Sequence, residues 1–393
     1  MNNKLFLIDG VMKDSLFENS WVFFPELVFD TLFYSLDGVF VSHCHDDHYD
    51  INFLRKLKKN TPIYITKDRI GLEELINDPL LNSIEIEPMK KVEFDDIEVL
   101  AIPSDHNDFD SSFIIKNSSF SIYQGNDNFI PRDLIKKAAS IMGSVSHVYI
   151  PFSYVWWYPF CLISMPQKQK EQEVRRLSEK NMEIGLYIAE ELDADIIIPS
   201  AGNLIFHDSS ADHINRMIAS PFDFLDFLYK LNSPLAKKTF ALFSGDSIMN
   251  KKEGIDVCSS YISKEAYYLE MDTFLAGMNQ QSIKYKYDIK NTDPKKINKR
   301  LRDPLNIKTD LYFNARGRDN ILIKFDSKKK EFIISEKIES EEYISFDIEG
   351  ALLKQWIQGD VSFETVLNSQ RLLINRVPER FDEQTWKVIR GSL

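Results

Sequence analysis

The feature that most narrows the fold is a dense polar cluster at the end of an apolar run. Gly38-Val39-Phe40-Val41 reads as a strand, and Ser42-His43-Cys44-His45-Asp46-Asp47-His48 follows it without a break. Three histidines and two carboxylates within six residues serve packing poorly. A turn at a strand end can instead point His43 and His45 at one metal ion and Asp47 and His48 at a second. Imidazole and carboxylate suit zinc, iron or manganese, and open positions on such ions bind water or substrate.

The surrounding pattern predicts a sheet core with outer helices. Leu5 to Ile8, Ile63 to Ile65, Ile97 to Ile102, Phe113 to Ile115 and Phe120 to Tyr123 read as short strands. Ile51 to Lys58 and Arg69 to Asn77 read as short helices, and Lys170 to Leu192 as a longer, charged one before the buried strand Ile196 to Ile198. Composition changes near residue 285. Residues 286–304, rich in charge, Asn and Pro, are expected to link a metal domain (1–285) to a small α+β module (305–393). In that module Leu311 to Phe325, Phe332 to Ile334 and Tyr343 to Phe346 read as strands, and Gly350 to Ile357 and Phe363 to Ser369 as helices. All seven histidines precede residue 214, which assigns the metal chemistry to the first unit. The module would then cover one side of the site, bind a partner or form an oligomer interface.

Charge and cysteine content exclude several classes. With 48 basic and 60 acidic residues the formal net charge is −12, which argues against a general nucleic-acid binder. Cys44, Cys161 and Cys258 match no zinc ribbon, redox pair or disulfide framework. A reducing cytoplasm is expected from that cysteine usage, and no secretory signal is read because Asp9 interrupts the apolar stretch Leu5 to Ile8. Residues 138–167 carry no Asp, Glu, Lys or Arg, yet Ser146, His147, Pro151, Ser153 and Pro159 interrupt them. They are read as a buried strand leading into an aromatic loop, not as a membrane span. His147, inside that strand, reads as a core histidine.

The His-x-His-x-Asp-His spacing after a strand resembles the signature of the metallo-β-lactamase superfamily. The resemblance implies an α+β chain built as an αββα sandwich, here with the α+β module at its C-terminal side. It also implies two further histidines and a bridging aspartate. His106, after the strand ending at Ile102, takes the third position on the first metal, and Asp127, after the strand Phe120 to Tyr123, bridges. The family usually shows Gly-Asp there. This chain has Gly125-Asn126-Asp127, and Asn lacks the charge a bridging ligand needs. The last ligand is expected after Ile196 to Pro199, with His207 the nearer choice and His213 the alternative. Ile198-Pro199-Ser200-Ala201-Gly202 through Asp212, with Arg175-Arg176-Leu177 before it and Gln370 to Arg376 after it, is similar to the part of CMP-N-acetylneuraminate hydroxylase-like proteins that follows their Rieske domain. A Rieske centre needs two Cys and two His ligands, and no such set exists here.

Hydrolysis leads among the functions, with two divalent ions, zinc or iron, activating water and Asp47 as catalytic residue. The substrate expected is a small molecule, anionic or sugar-containing, met by Trp156, Trp157, Tyr158, Arg175 and Arg176. The second reading is a di-iron oxygenase of a nucleotide sugar or amino sugar that draws electrons from a redox partner. The third is a non-catalytic binding protein that keeps metal for structure.

Overall fold

Short apolar runs close into two sheets stacked face to face. The computed structural model describes residues 4–28, 35–105, 109–206, 211–251, 254–278, 296, 306–316, 322–380 and 383–390. Its strands are β1 (Phe6–Ile8), β2 (Trp21–Phe23), β3 (Gly38–Val41), β4 (Pro62–Thr66), β5 (Asn82–Ile86), β6 (Val92–Phe94), β7 (Ile97–Pro103), β8 (Ser111–Lys116), β9 (Ser121–Gln124), β10 (His147–Pro151), β11 (Ile196–Ser200) and β12 (Leu204–Phe206), then the hairpin β13 (Ser247–Lys251) and β14 (Gly254–Cys258). Helices α1 (Ile51–Leu54), α2 (Glu73–Asn77), α3 (Arg132–Met142), α4 (Trp157–Phe160), α5 (Gln167–Glu191), α6 (Asp212–Asn215), α7 (Pro221–Lys230) and α8 (Lys264–Met278) lie between or after them.

The first sheet runs β1-β3-β4-β5 and is parallel throughout. The second runs β11-β10-β9-β8-β7-β6, antiparallel from β6 to β9 and parallel from β9 to β11. Phe40, Tyr64 and Ile86 of the first sheet meet Val99, Ala101, Phe113 and Ile115 of the second in one buried layer. On the outer face of the first sheet, Val39, Val41, Ile63 and Ile65 bury Phe53 and Leu54 of α1 and Leu75 of α2. On the outer face of the second, Leu100, Ile114, Val148 and Ile197 bury apolar residues of α3, α5 and α7. Helices outside and two sheets inside make the αββα sandwich that the resemblance implied. Strands covered on both faces need apolar side chains at every position, which is why β3 reads as an unbroken run.

The C-terminal part has its own sheet, β17-β16-β15-β18-β19, from β15 (Asp310–Arg316), β16 (Leu322–Asp326), β17 (Glu331–Ser335), β18 (Tyr343–Glu349) and β19 (Leu372–Val377). Helices α9 (Gly350–Gln358), α10 (Phe363–Asn368) and α11 (Glu383–Arg390) complete it, with Phe313, Phe346, Trp356 and Phe363 clustered in its core. Trp157, Cys161 and Leu162, from the stretch between β10 and α5, are buried in that same core. Backbone bonds from Ile163 N to Ile374 O (2.9 Å) and from Ile374 N to Cys161 O (2.7 Å) lay residues 161–163 along β19. The expected linker 286–304 lies outside the described residues, apart from Lys296.

Two helices are shorter than their periodicity predicts. Helix α1 stops at Leu54, not Lys58, and Asn60 turns the chain with φ 69°. Helix α2 starts at Glu73, not Arg69, because Gly71 holds φ 89°, a left-handed conformation that breaks a helix. Among the described residues no helix is long and apolar enough to cross a membrane.

Candidate metal centre

The polar cluster sits where strands of both sheets end. Asp9 follows β1, His43 to His48 follow β3, Asp110 lies in the turn between β7 and β8, and Asp127 follows β9. Parallel pairing of β1 with β3 brings Asp9 beside Ser42. Its carboxylate accepts from Ser42 N (2.8 Å) and from the Ser42 hydroxyl (2.7 Å), and it lies 2.8 Å from His48 Nδ1. That contact leaves His48 Nε2 facing the cluster. Asp50 then caps α1 by accepting from the backbone N–H groups of Asn52 and Phe53, which ends the loop in a fixed place.

Two overlapping groups of ligand atoms result: His43, His45 and Asp110, and His43, His48 and Asp127. Within each group the atoms lie within 4.8 Å of one another. His48 Nε2 stands 3.3 Å from Asp127 and 3.4 Å from Asp47, and His43 Nε2 stands 3.6 Å from Asp110. These separations are too long for good hydrogen bonds. They match the edge of a tetrahedron, about 3.3–3.6 Å, whose corners lie about 2.0–2.2 Å from a central ion. His43 Nε2 and His45 Nδ1 are closer, at 2.9 Å. Asp47 adds a buried Oδ1 with no hydrogen-bond partner, a costly arrangement unless something positive meets it. The donor set therefore fits divalent metal.

Electrostatics point the same way. Burial, helped by His48 and His45, holds His43 well below the usual histidine range, so it is the neutral imidazole that metals bind. Burial also disfavours charge on His48, but Asp47 and Asp127 outweigh it and raise its pKa well above the ordinary value. Burial pushes Asp47 up, and the neighbouring His48 outweighs that and keeps it lowered.

The cluster opens into a cavity of about 630 Å³. Its far walls are apolar and aromatic, with Phe17, Trp21, Phe129, Val155 and Trp156 among them. The C-terminal part closes one side through Glu364 and Asn368 of α10. Trp21 Nε1 donates to Asn368 O (2.7 Å) and Arg371 donates to Glu18 O (3.0 Å), which ties α10 to the cavity wall. Gly202, between β11 and β12, also lines the cavity, and its φ of 131° and closeness to Ser153 leave no room for a side chain.

The sequence-predicted residues separate here. His43, His45, Asp47, His48 and Asp127 come together. Asn126 does not compete with Asp127, because its buried amide donates back to Ser111 O. His106 and His207 lie outside the described residues. His213 is exposed on α6 and lines a second cavity, not the metal cleft, because α6 turns it outward. Of the residues expected to meet substrate, Trp156 lines the cleft. Trp157 does not: it stacks on Trp386 at 4.3 Å inside the C-terminal core. Tyr158 donates to Glu173, which also holds Arg176, so neither reaches the cleft. Arg175 faces the second cavity with His213. His147 is buried, bonded to Ser146 Oγ and set against Phe120, as a core histidine. Asp9 and Asp110 were missed. Asp9 had one visible signal, a carboxylate directly after a strand. Asp110 had none.

No protein-family model matches the chain, and no curated protein matches it in sequence. Solved structures do match in shape. A possible metal-dependent hydrolase from Veillonella parvula aligns over 62% of this chain and 92% of its own, at 15% identity and a TM-score of 0.43. CmlA, a diiron β-hydroxylase from Streptomyces venezuelae, aligns over 53% of this chain and 44% of its own, at 14% identity and a TM-score of 0.36. The chain thus spans less than half of that hydroxylase. The metallo-β-lactamase-fold protein YhfI from Bacillus subtilis aligns over 48% of this chain and 72% of its own, at 15% identity and a TM-score of 0.28.

Proposed function

We propose that this chain is a hydrolase that works with two divalent metal ions held by His43, His45, Asp110, His48, Asp127 and Asp47. The observation that carries the reading is the pair of overlapping His–carboxylate groups at the mouth of a cavity large enough for a small molecule. Two ions bound there would activate water near neutral pH and polarise a scissile carbonyl or phosphoryl group. The chain's own residues do the rest. Asp9 fixes the His48 ring so that Nε2 faces the cluster. Asp47 is kept ionised by the neighbouring His48 and would hold metal through its unpartnered Oδ1. Phe109, with its ring centroid 5.1 Å from that of His45, gives the cluster an apolar neighbour on the cavity lining.

One observation favours a second reading. Three carboxylates, Asp47, Asp110 and Asp127, stand among three imidazoles, and so oxygen-rich a set suits iron or manganese better than a sulfur or all-imidazole site would. An oxygenase built on it would draw electrons from a separate protein. Elemental analysis of protein purified without added metal tests both readings, followed by assays of activated esters and phosphodiesters. Two equivalents of metal with hydrolysis in the absence of oxygen support the hydrolase. Two irons with turnover only in oxygen and reductant support the oxygenase. Metal well below one equivalent removes both.

A further inference from the structure

From the walls of the cleft we infer that its ligand is uncharged and largely apolar, and is not an anion. This deepens the hydrolase reading and rests on it for calling that ligand a substrate. Among the described residues that line the cleft there is no lysine and no arginine. Outside the two histidines of the cluster, His45 and His48, every charged lining residue is an acid, Glu364 included. An anionic group entering such a cleft loses its water and gains no lysine or arginine from the described lining.

Bound metal does not reverse this balance. Two divalent ions bring four positive charges, and Asp9, Asp47, Asp110 and Asp127 supply as many negative ones. The loaded cluster then carries no positive excess. The arginines that could have met an anion point elsewhere: Arg176 to Glu173, and Arg175 into the second cavity. The apolar walls supply binding by burial, and aromatic faces such as Trp156 and Phe129 suit a flat ring.

The test compares two probes of one shape, 2-naphthamide and 2-naphthoate, by equilibrium dialysis against protein as purified and after chelation. The amide is expected to bind about tenfold tighter or better in both states, the equivalent of one lost charge interaction. Placing a cation at the half-buried Phe129, in Phe129→Arg, should bring the two probes to parity or reverse their order. Val155→Arg serves the same purpose if that variant does not fold. Naphthoate binding as tightly as naphthamide to the unmodified protein overturns the inference, as does binding of neither below ~1 mM. The two readings fail separately. A metal-free protein that still prefers the amide sinks only the hydrolase, and a two-metal protein that prefers naphthoate sinks only the choice of ligand.

Discussion

Asp9 Oδ2 lies 2.8 Å from Nδ1 of His48, across 39 residues of chain, and the same carboxylate holds the backbone and hydroxyl of Ser42. It orients the ring without occupying the cluster's centre. Groups in that position typically govern metal affinity by 10–100-fold. Asp9→Asn is therefore expected to weaken metal binding by about 10–100-fold, read by competition with a chelator, while the far-UV spectrum stays unchanged. Unaltered affinity would show that the contact is incidental.

Removing His43 and His45 together addresses the cluster itself. The double change to Ala should strip most bound metal and leave the sheets intact, because the core layers on either side are apolar and independent of these rings. Elemental analysis with circular dichroism reads both outcomes. Full metal occupancy would end the assignment.

Individual ligands should divide the metal between them. Asp110→Asn and Asp127→Asn are each expected to lose roughly one equivalent of two, since each belongs to a different ligand group. His213→Ala should lose none, because His213 lines the second cavity. His207→Ala remains the proposed route to losing about half the metal. Metal loss in His213→Ala would place the cluster's last member on α6.

Trp157 ties the stretch after β10 to the C-terminal core by stacking on Trp386. It is 1% exposed, so truncation leaves a cavity that the surrounding sheet cannot close. Trp157→Ala should cost about 3–5 kcal/mol in urea unfolding. A cost below about 1 kcal/mol would mean that the C-terminal sheet does not depend on this anchor.

Asp310 gives a pH dependence with a definite sign. Burial pushes its pKa up, but the hydroxyls of Ser327 and Ser340 and the Lys324 ammonium at 2.9 Å outweigh that and hold it at about 2. A depressed carboxylate stabilises the fold above its ordinary pKa, and that contribution disappears as pH falls from about 4 through about 2. The stability difference between the unmodified protein and Asp310→Asn should be about 1 kcal/mol at pH 6, allowing for solvent screening, and should vanish by about pH 2. A difference that grows on acidification would overturn the assignment.

What the sequence disclosed follows from what is local in it. A strand that ends in His43 to His48 announces both its own burial and its chemistry, because both lie within a dozen residues. Asp110 could not be found that way: it joins His43 only because β7 and β3 end, and β8 begins, at one place. Trp156, Trp157 and Tyr158 are adjacent in sequence yet serve the cleft, the C-terminal core and Glu173 respectively. Composition cannot separate three such directions. Arg175 and Arg176 fail for a related reason, since helical phase, not charge, decides which way α5 turns them. Helices α3 and α7 were overlooked although each buries an apolar stripe against the second sheet.

The bond from Trp21 to Asn368 also has a meaning in time. Every described member of the metal cluster has been synthesised once the chain reaches Asp127, whereas Glu364, Asn368 and Arg371 emerge more than two hundred residues later. At about 5–20 residues per second that interval is roughly 10–50 s. A ribosome halted at residue 300 therefore carries the residues of the cluster without the helix that walls its cleft, so the candidate ligands and the wall that covers them are made at separate times in the life of each molecule.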